Sequence, residues 1–177
     1  MHSTYISESE LKGAYSEGEA SYIYNRVKSF DGDFLKFAKT FAHNDDYQVA
    51  RNALWGLTKA TDEELAQLQP MRDELIDFAL NTDNQSIRRN ALNIVNRLAI
   101  DEENIRTDLL DFCLEHMVQL DEYPSIQAVC MKIAHRICSF YPELADEMLR
   151  TVKAMDMEYY KPAVKSVVRR ILSGKVK

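Results

Sequence analysis

Four stretches of this chain share one pattern at a near-constant spacing, and that repetition limits the fold more than any other feature. SIRRNALNIVNRL, residues 86 to 98, places Ile87, Ala91, Ile94, Val95 and Leu98 at the i, i+4, i+7, i+8, i+11 spacing that gathers apolar groups on one helix face. QVARNALWGL at 48–57 matches it 38 positions earlier, SIQAVCMKIA at 125–134 follows 39 positions later, and AVKSVVRRIL at 163–172 comes 38 after that. A unit recurring at such a period cannot bury its apolar face alone and does so by stacking on its neighbours.

A second helix precedes each copy. GDFLKFAK, DELIDFAL, TDLLDFCL and DEMLRTVK share an acidic residue and two large apolar residues, and three of them add an aromatic followed by a small residue. Each unit is therefore helix, turn, helix. Asn44-Asp45-Asp46, Asp83-Asn84, Pro124 and Pro162 mark turns into second helices, and Pro142 opens the fourth first helix. Thr61 and Glu64 form a capping box, Pro70 is placed in the first turn of the next helix, and Asp101 opens a long helix through Met117. Upstream, Ala20, Ile23, Tyr24, Val27 and Phe30 share a face, which reads as a capping helix over the end repeat's stacking surface. No segment alternates as a strand does.

This arrangement resembles the HEAT repeat, whose second helix opens with an Asp in the turn followed by Val, Arg, two residues and Ala. Asp83, Ile87, Arg88 and Ala91 match that pattern, Val49 and Ala53 match with Ala50 in the Arg place, and later copies keep the apolar frame. The resemblance implies an all-α, right-handed α-α superhelix, a HEAT-like solenoid of about four helix pairs and about ten helices. On that reading residues 1–177 are a single domain, with an N-terminal helical cap over 1–30 and repeats over 31–174. Asn52 and Asn90 invite comparison with the peptide-clamping Asn of armadillo repeats. That family, however, sets its Trp four residues before the Asn, whereas Trp55 follows Asn52 by three, so a hydrogen bond to an inter-repeat turn is the expected use.

Charge is unevenly spread. Of 22 basic residues, six follow position 160 with no acid among them, leaving 16 against all 28 acids in residues 1–160. The first residues, MHSTYISESELKG, lack the basic and apolar regions of a secretory signal, and no apolar run approaches a membrane span. Three cysteines, all within expected helices, point to reduced thiols in the cytoplasm. Cys113 and Cys130 fall in the small-residue columns held elsewhere by Ala38, Ala53, Ala79 and Ala91, level with each other about the turn near Glu122, so two buried neighbouring thiols are expected.

Catalytic chemistry finds little purchase. No Ser, Cys or Thr has a base and an orienting acid at a recognisable spacing, there is no Gly-rich phosphate loop, and the Ser- and Gly-rich signature loop of the fumarase-type lyases is missing. Carboxylates in DEELAQ and DEENIR read as first-turn acids of helices. Cys113 with His116, and His135 with Cys138, have ligand-like spacings, but helical rise sets the pairs roughly 8 Å or more apart along the axes, too far for one metal. The expectation is a non-enzyme with no catalytic residue, no metal and no cofactor.

A recognition surface is the more productive reading. If Val49, Ala53, Gly56 and Leu57 face inward, positions 51, 55 and 58 face the opposite way, the side that lines the concave surface in HEAT-like arrays. Across the copies this stripe contains Arg51, Trp55, Arg89, Asn93, Asn96, Lys132, His135 and Arg170 and no acid. Trp and Arg are favoured interface anchors, so a partner protein, with an acidic or extended segment, is the leading expectation, and Arg89, Asn93, Lys132 and Arg170 are expected to be at least half exposed. Two alternatives stay open. Trp55 packs under the cap while the basic residues pair with neighbouring carboxylates, or the groove holds nucleic acid as in HEAT-like DNA glycosylases. Those proteins are strongly basic, and an acidic chain with a single Trp would hold a duplex weakly, so nucleic acid ranks below protein. An enzyme of unrecognised type would need a closed pocket of perturbed titratable groups.

Overall fold

A computed structural model describes residues 6–176. It contains eleven α-helices: α1 (Glu8–Lys12), α2 (Glu17–Phe30), α3 (Phe34–Phe41), α4 (Tyr47–Leu57), α5 (Asp62–Leu65), α6 (Arg72–Asn81), α7 (Gln85–Arg97), α8 (Thr107–His116), α9 (Pro124–Cys138), α10 (Pro142–Ala154) and α11 (Pro162–Leu172). Among the described residues there is no strand. The chain divides into two compact units, Met1–Ala99 and Ile100–Lys177.

In the first unit α3 packs on α4 and α6 on α7, the helix pairs of two repeats, and α4 packs on α7. Helices α1 and α2 both lie on α4. Side-chain caps set the starts of these helices: Ser7, Ser16 and Thr61 each close a reciprocal capping box, and Asp33, Asp46 and Asn84 each accept a first-turn amide. Gly56 sits where α2 comes closest to α4. A Cβ there would lie 2.5 Å from Ile23 Cγ2, whereas later repeats carry Ile94, Ile133 and Ile171 in the same column. In the second unit α8 and α9 form one pair, and α10 and α11 pack against α9.

Two connections differ from the sequence expectation. Pro70 lies inside a 3-10 segment, Ala66–Met71, and α6 starts only at Arg72; burial of Leu68 and Met71 draws that segment inward. Gln69 further ties it down by donating to the Ala99 carbonyl and accepting from the Ala99 amide. Asp101 begins a single 3-10 turn, Glu102–Asn104, because its side chain and that of Asn104 cap each other's backbone, and α8 waits until Thr107.

The Arg of the HEAT-like pattern has a structural use. Arg88 Nε donates to the Ala79 carbonyl at 2.9 Å and Nη2 to the Thr82 carbonyl at 2.5 Å, satisfying the open C-terminal end of α6 from the start of α7. Arg97 does the same across repeats: Nη1 and Nη2 donate to the carbonyls of Thr58 and Ala60, and Nε meets Asp62 at 2.8 Å. The residue one repeat earlier, Lys59, pairs with Glu17. In both cases a cation at or just past a helix C-terminus reaches the first residue of an earlier helix, where an acid also favours the local dipole.

Candidate recognition cavity of the first unit

Asn52 and Asn90 fix the floor of the site. Asn52 is fully buried; its Nδ2 donates to the Leu11 carbonyl at 2.6 Å, and its Oδ1 accepts from Arg51 Nε at 3.0 Å. Asn90, also buried, donates to the Arg51 carbonyl at 3.4 Å. The bond of Asn52 ends on a carbonyl of the short helix α1 and that of Asn90 on a helix carbonyl of α4, so neither reaches the inter-repeat turn expected of it. Together they lock α1, α4 and α7 at one level and hold Arg51, whose guanidinium lies 6.0 Å from the centroid of the Tyr47 ring.

On this floor Arg51 and Trp55 from α4 and Arg89 from α7 line one cavity of about 190 Å³ with Ala14, Tyr15, Ser86 and Asn90. Three of the eight stripe residues thus converge. Tyr15 comes from the α1–α2 connection and is 73% exposed, so it forms an open rim. Glu17, the first residue of α2, reaches the same place: its carboxylate pairs with Lys59, accepts a hydrogen bond from Trp55 and feels the charge of Arg89, and these hold its pKa below the ordinary carboxylate value. The stripe that lacks acids in sequence has one beside it in space.

The exposure expected for the stripe is not met. Arg89, Asn93 and Lys132 are only partly exposed, below half, and Arg170 alone among those four is exposed. Arg51, Trp55, Asn96 and His135 are likewise partly buried. Neighbouring helices shade these side chains, and α1 and α2 add their own cover over α4. In the second unit His135 lines a cavity of about 230 Å³ against α10 with Cys138, Ser139, Asp146 and Met148, and burial lowers its pKa. Asp146 is thus a second carboxylate beside the stripe.

His116 Nδ1 lies 2.6 Å from Glu122 Oε2, its ring stacks on Phe112 at 3.8 Å between centroids, and Glu122 Oε1 accepts from the Tyr123 amide. Cys113, Cys130 and Cys138 are buried free thiols. Among the described residues no group of three or more His, Cys, Asp or Glu is placed to hold a metal ion.

A family model for a HEAT repeat domain matches residues 7–175. The chain belongs to the HEAT-repeat family. Its all-α architecture is that of an α solenoid, and HEAT repeats generally mediate protein–protein interaction and are typically non-enzymatic scaffolds. Neither the curated proteins nor the solved structures include a significant match to the chain. No helix among the described residues is long and apolar enough to cross a membrane.

The residues missed at the sequence level are Tyr15 and Glu17. The Ser16 capping box identifies Glu17 as the first residue of α2, but nothing local says that this end comes to rest over Trp55.

Proposed function

We propose that this HEAT-repeat chain is a non-enzymatic interaction module that binds a partner protein through the inner stripe of its second helices, Arg51, Trp55, Arg89, Asn93, Asn96, Lys132, His135 and Arg170. The cavity at Arg51, Trp55 and Arg89 is the anchor, and an acidic side chain of an extended partner segment is its occupant. What supports this reading is the convergence of two guanidinium groups and the chain's single Trp, from successive repeats, on one cavity of about 190 Å³. Trp55 and Arg89 already receive one carboxylate there, that of Glu17, so a carboxylate-bearing side chain is chemistry this place accepts. On the same reading residues 1–177 act as one domain, 1–30 as its cap and 31–174 as its repeats, in the cytoplasm and without a cofactor.

Quantitative pull-downs from the native cell with the wild-type chain, Trp55→Ala and Arg89→Glu provide the test. The expected result is a partner whose recovery falls with both substitutions and whose purified form binds the wild-type chain directly. A recovered set unchanged by both substitutions overturns the proposal, as does tight, steeply salt-dependent binding of duplex DNA that both variants lose.

A further inference from the structure

We infer that the outer row of α11, Lys161, Lys165 and Arg169, is a second docking surface, for an extended polypeptide segment with acids at alternate positions. It is carried by residues other than those of the anchor cavity.

The row begins from an electrostatic oddity. Six helices, α1, α2, α5, α6, α8 and α10, carry acids in the first turn, where they suit the helix dipole. Helix α11, like α3, α4, α7 and α9, has none, and of these five it is the one with a lysine, Lys161, at its N-cap and Lys165 one turn in. Neither Lys161, Lys165, Arg169, Arg170 nor Lys175 takes part in an ion pair or a side-chain hydrogen bond among the described residues, while Lys12, Lys28, Lys36, Lys59, Arg97 and Arg106 are all paired. Two acids on the neighbouring α10 are directed elsewhere. Asp146 lines the His135 cavity, and Glu147 lines a cavity of about 210 Å³ facing Met117. Lys161 and Lys165 sit toward the positive end of the helix dipole, whereas Arg169 in the last turn suits it; like charges four positions apart repel, and an anionic partner relieves that repulsion.

Geometry selects the partner. Val164, Val167, Val168 and Ile171 are buried; Arg169 lies across the helix from them and Lys161 and Lys165 along its flank, with Lys161 and Arg169 exposed and Lys165 partly so. Positions four apart on a helix rise about 6 Å. Same-side residues of an extended chain recur about every 6.6 Å, so acids at alternate positions meet the three cations in turn. Leu172, 48% exposed, continues the row and offers an apolar contact at its end. A long polyanion suits the surface less, because residues 1–160 carry 16 basic against 28 acidic side chains.

The test is a fluorescence anisotropy titration of the full chain with a labelled synthetic peptide carrying Glu at alternate positions and a terminal Leu. The wild-type chain is expected to bind it. Lys165→Glu with Arg169→Glu should weaken binding about tenfold or more, and Lys165→Gln with Arg169→Gln should weaken it less, in the same direction. In a Trp55→Ala background, where the anchor cavity is disabled, the peptide should still bind and should still lose affinity with Lys165→Glu and Arg169→Glu, which separates failure here from failure of the anchor cavity. Three outcomes overturn the inference: no binding by the wild type, equal affinity for a peptide of the same composition with its Glu residues out of register, or tighter binding of a single-stranded oligonucleotide with the same dependence on Lys165 and Arg169.

Discussion

The thiols of Cys113 on α8 and Cys130 on α9 face one another across the contact of the two helices, within hydrogen-bonding reach and fully buried. They stand in the columns that Ala38, Ala53, Ala79 and Ala91 fill elsewhere, all with no exposed surface. Burial first, and then the neighbouring Cys130, push the Cys113 thiol well above its ordinary pKa, and the thiolate is the reactive form. A thiol reagent is therefore expected to leave Cys113 unmodified in the folded protein and to label it on unfolding. Cys113→Leu should overpack the helix contact and cost about 1 to 3 kcal/mol in a denaturant titration. Rapid labelling of the native protein at Cys113 would contradict the packing described.

Gly56→Ala sets helix propensity against packing. Alanine gains about 1 kcal/mol in a helix interior over glycine. Its Cβ, however, lies 2.5 Å from Ile23 Cγ2 and 3.0 Å from Ile23 Cβ, and Ile23 is itself 1% exposed with little room to shift. Overpacking of about 1 to 3 kcal/mol should win. The expected outcome is a net loss of stability, recovered by the double variant Gly56→Ala with Ile23→Val; a stabilised single variant would mean that α2 yields easily.

Arg97 carries three contacts from one guanidinium, to the carbonyls of Thr58 and Ala60 and to Asp62. Arg97→Met keeps the apolar stem and removes the donors, leaving the end of α4 uncapped. A loss of about 2 to 3 kcal/mol is expected, and Arg97→Lys should restore little of it, because a single ammonium cannot reproduce the planar fork. Asp62→Asn, which touches only the exposed arm, should cost about 1 kcal/mol or less. Equal losses for the two sites would show that the ion pair, not the capping, carries the effect.

Glu17 makes the single Trp a reporter. The ion pair with Lys59 is the largest influence lowering its pKa below 4.5, followed, after an opposing desolvation effect, by the charge of Lys59, the hydrogen bond from Trp55 and the charge of Arg89. A carboxylate with a depressed folded-state pKa contributes stability that is present above its unfolded value and lost as pH falls through the folded one. Trp55 emission is thus expected to stay constant from neutral pH down to about 4.5 and to change only at more acid pH, as Glu17 protonates and releases the indole N–H. Glu17→Gln should remove that step. A step of the same size in the Gln variant would assign it to another carboxylate.

The helices were legible because their signals are local. The 3.6-residue apolar period, the capping boxes at Ser16 and Thr61 and the prolines that open α9, α10 and α11 each act within a few residues, and the spacing of about 38 then forces repeats to stack. Small residues in register even placed Cys113 against Cys130. Pro70 and Asp101 went astray because buried Leu68 and Met71 and the reciprocal Asp101–Asn104 cap decide those turns, and several short solutions fit the same residues. The surroundings of Trp55 belong to tertiary structure alone. Whether a residue on the inner face of α4 meets water depends on where Tyr15 and Glu17 come to lie, about 40 positions upstream, and that is set by Asn52 gripping the Leu11 carbonyl and by Gly56 admitting Ile23. A periodicity can say which way a side chain points from its own helix; it carries no information about which distant segment arrives to cover it.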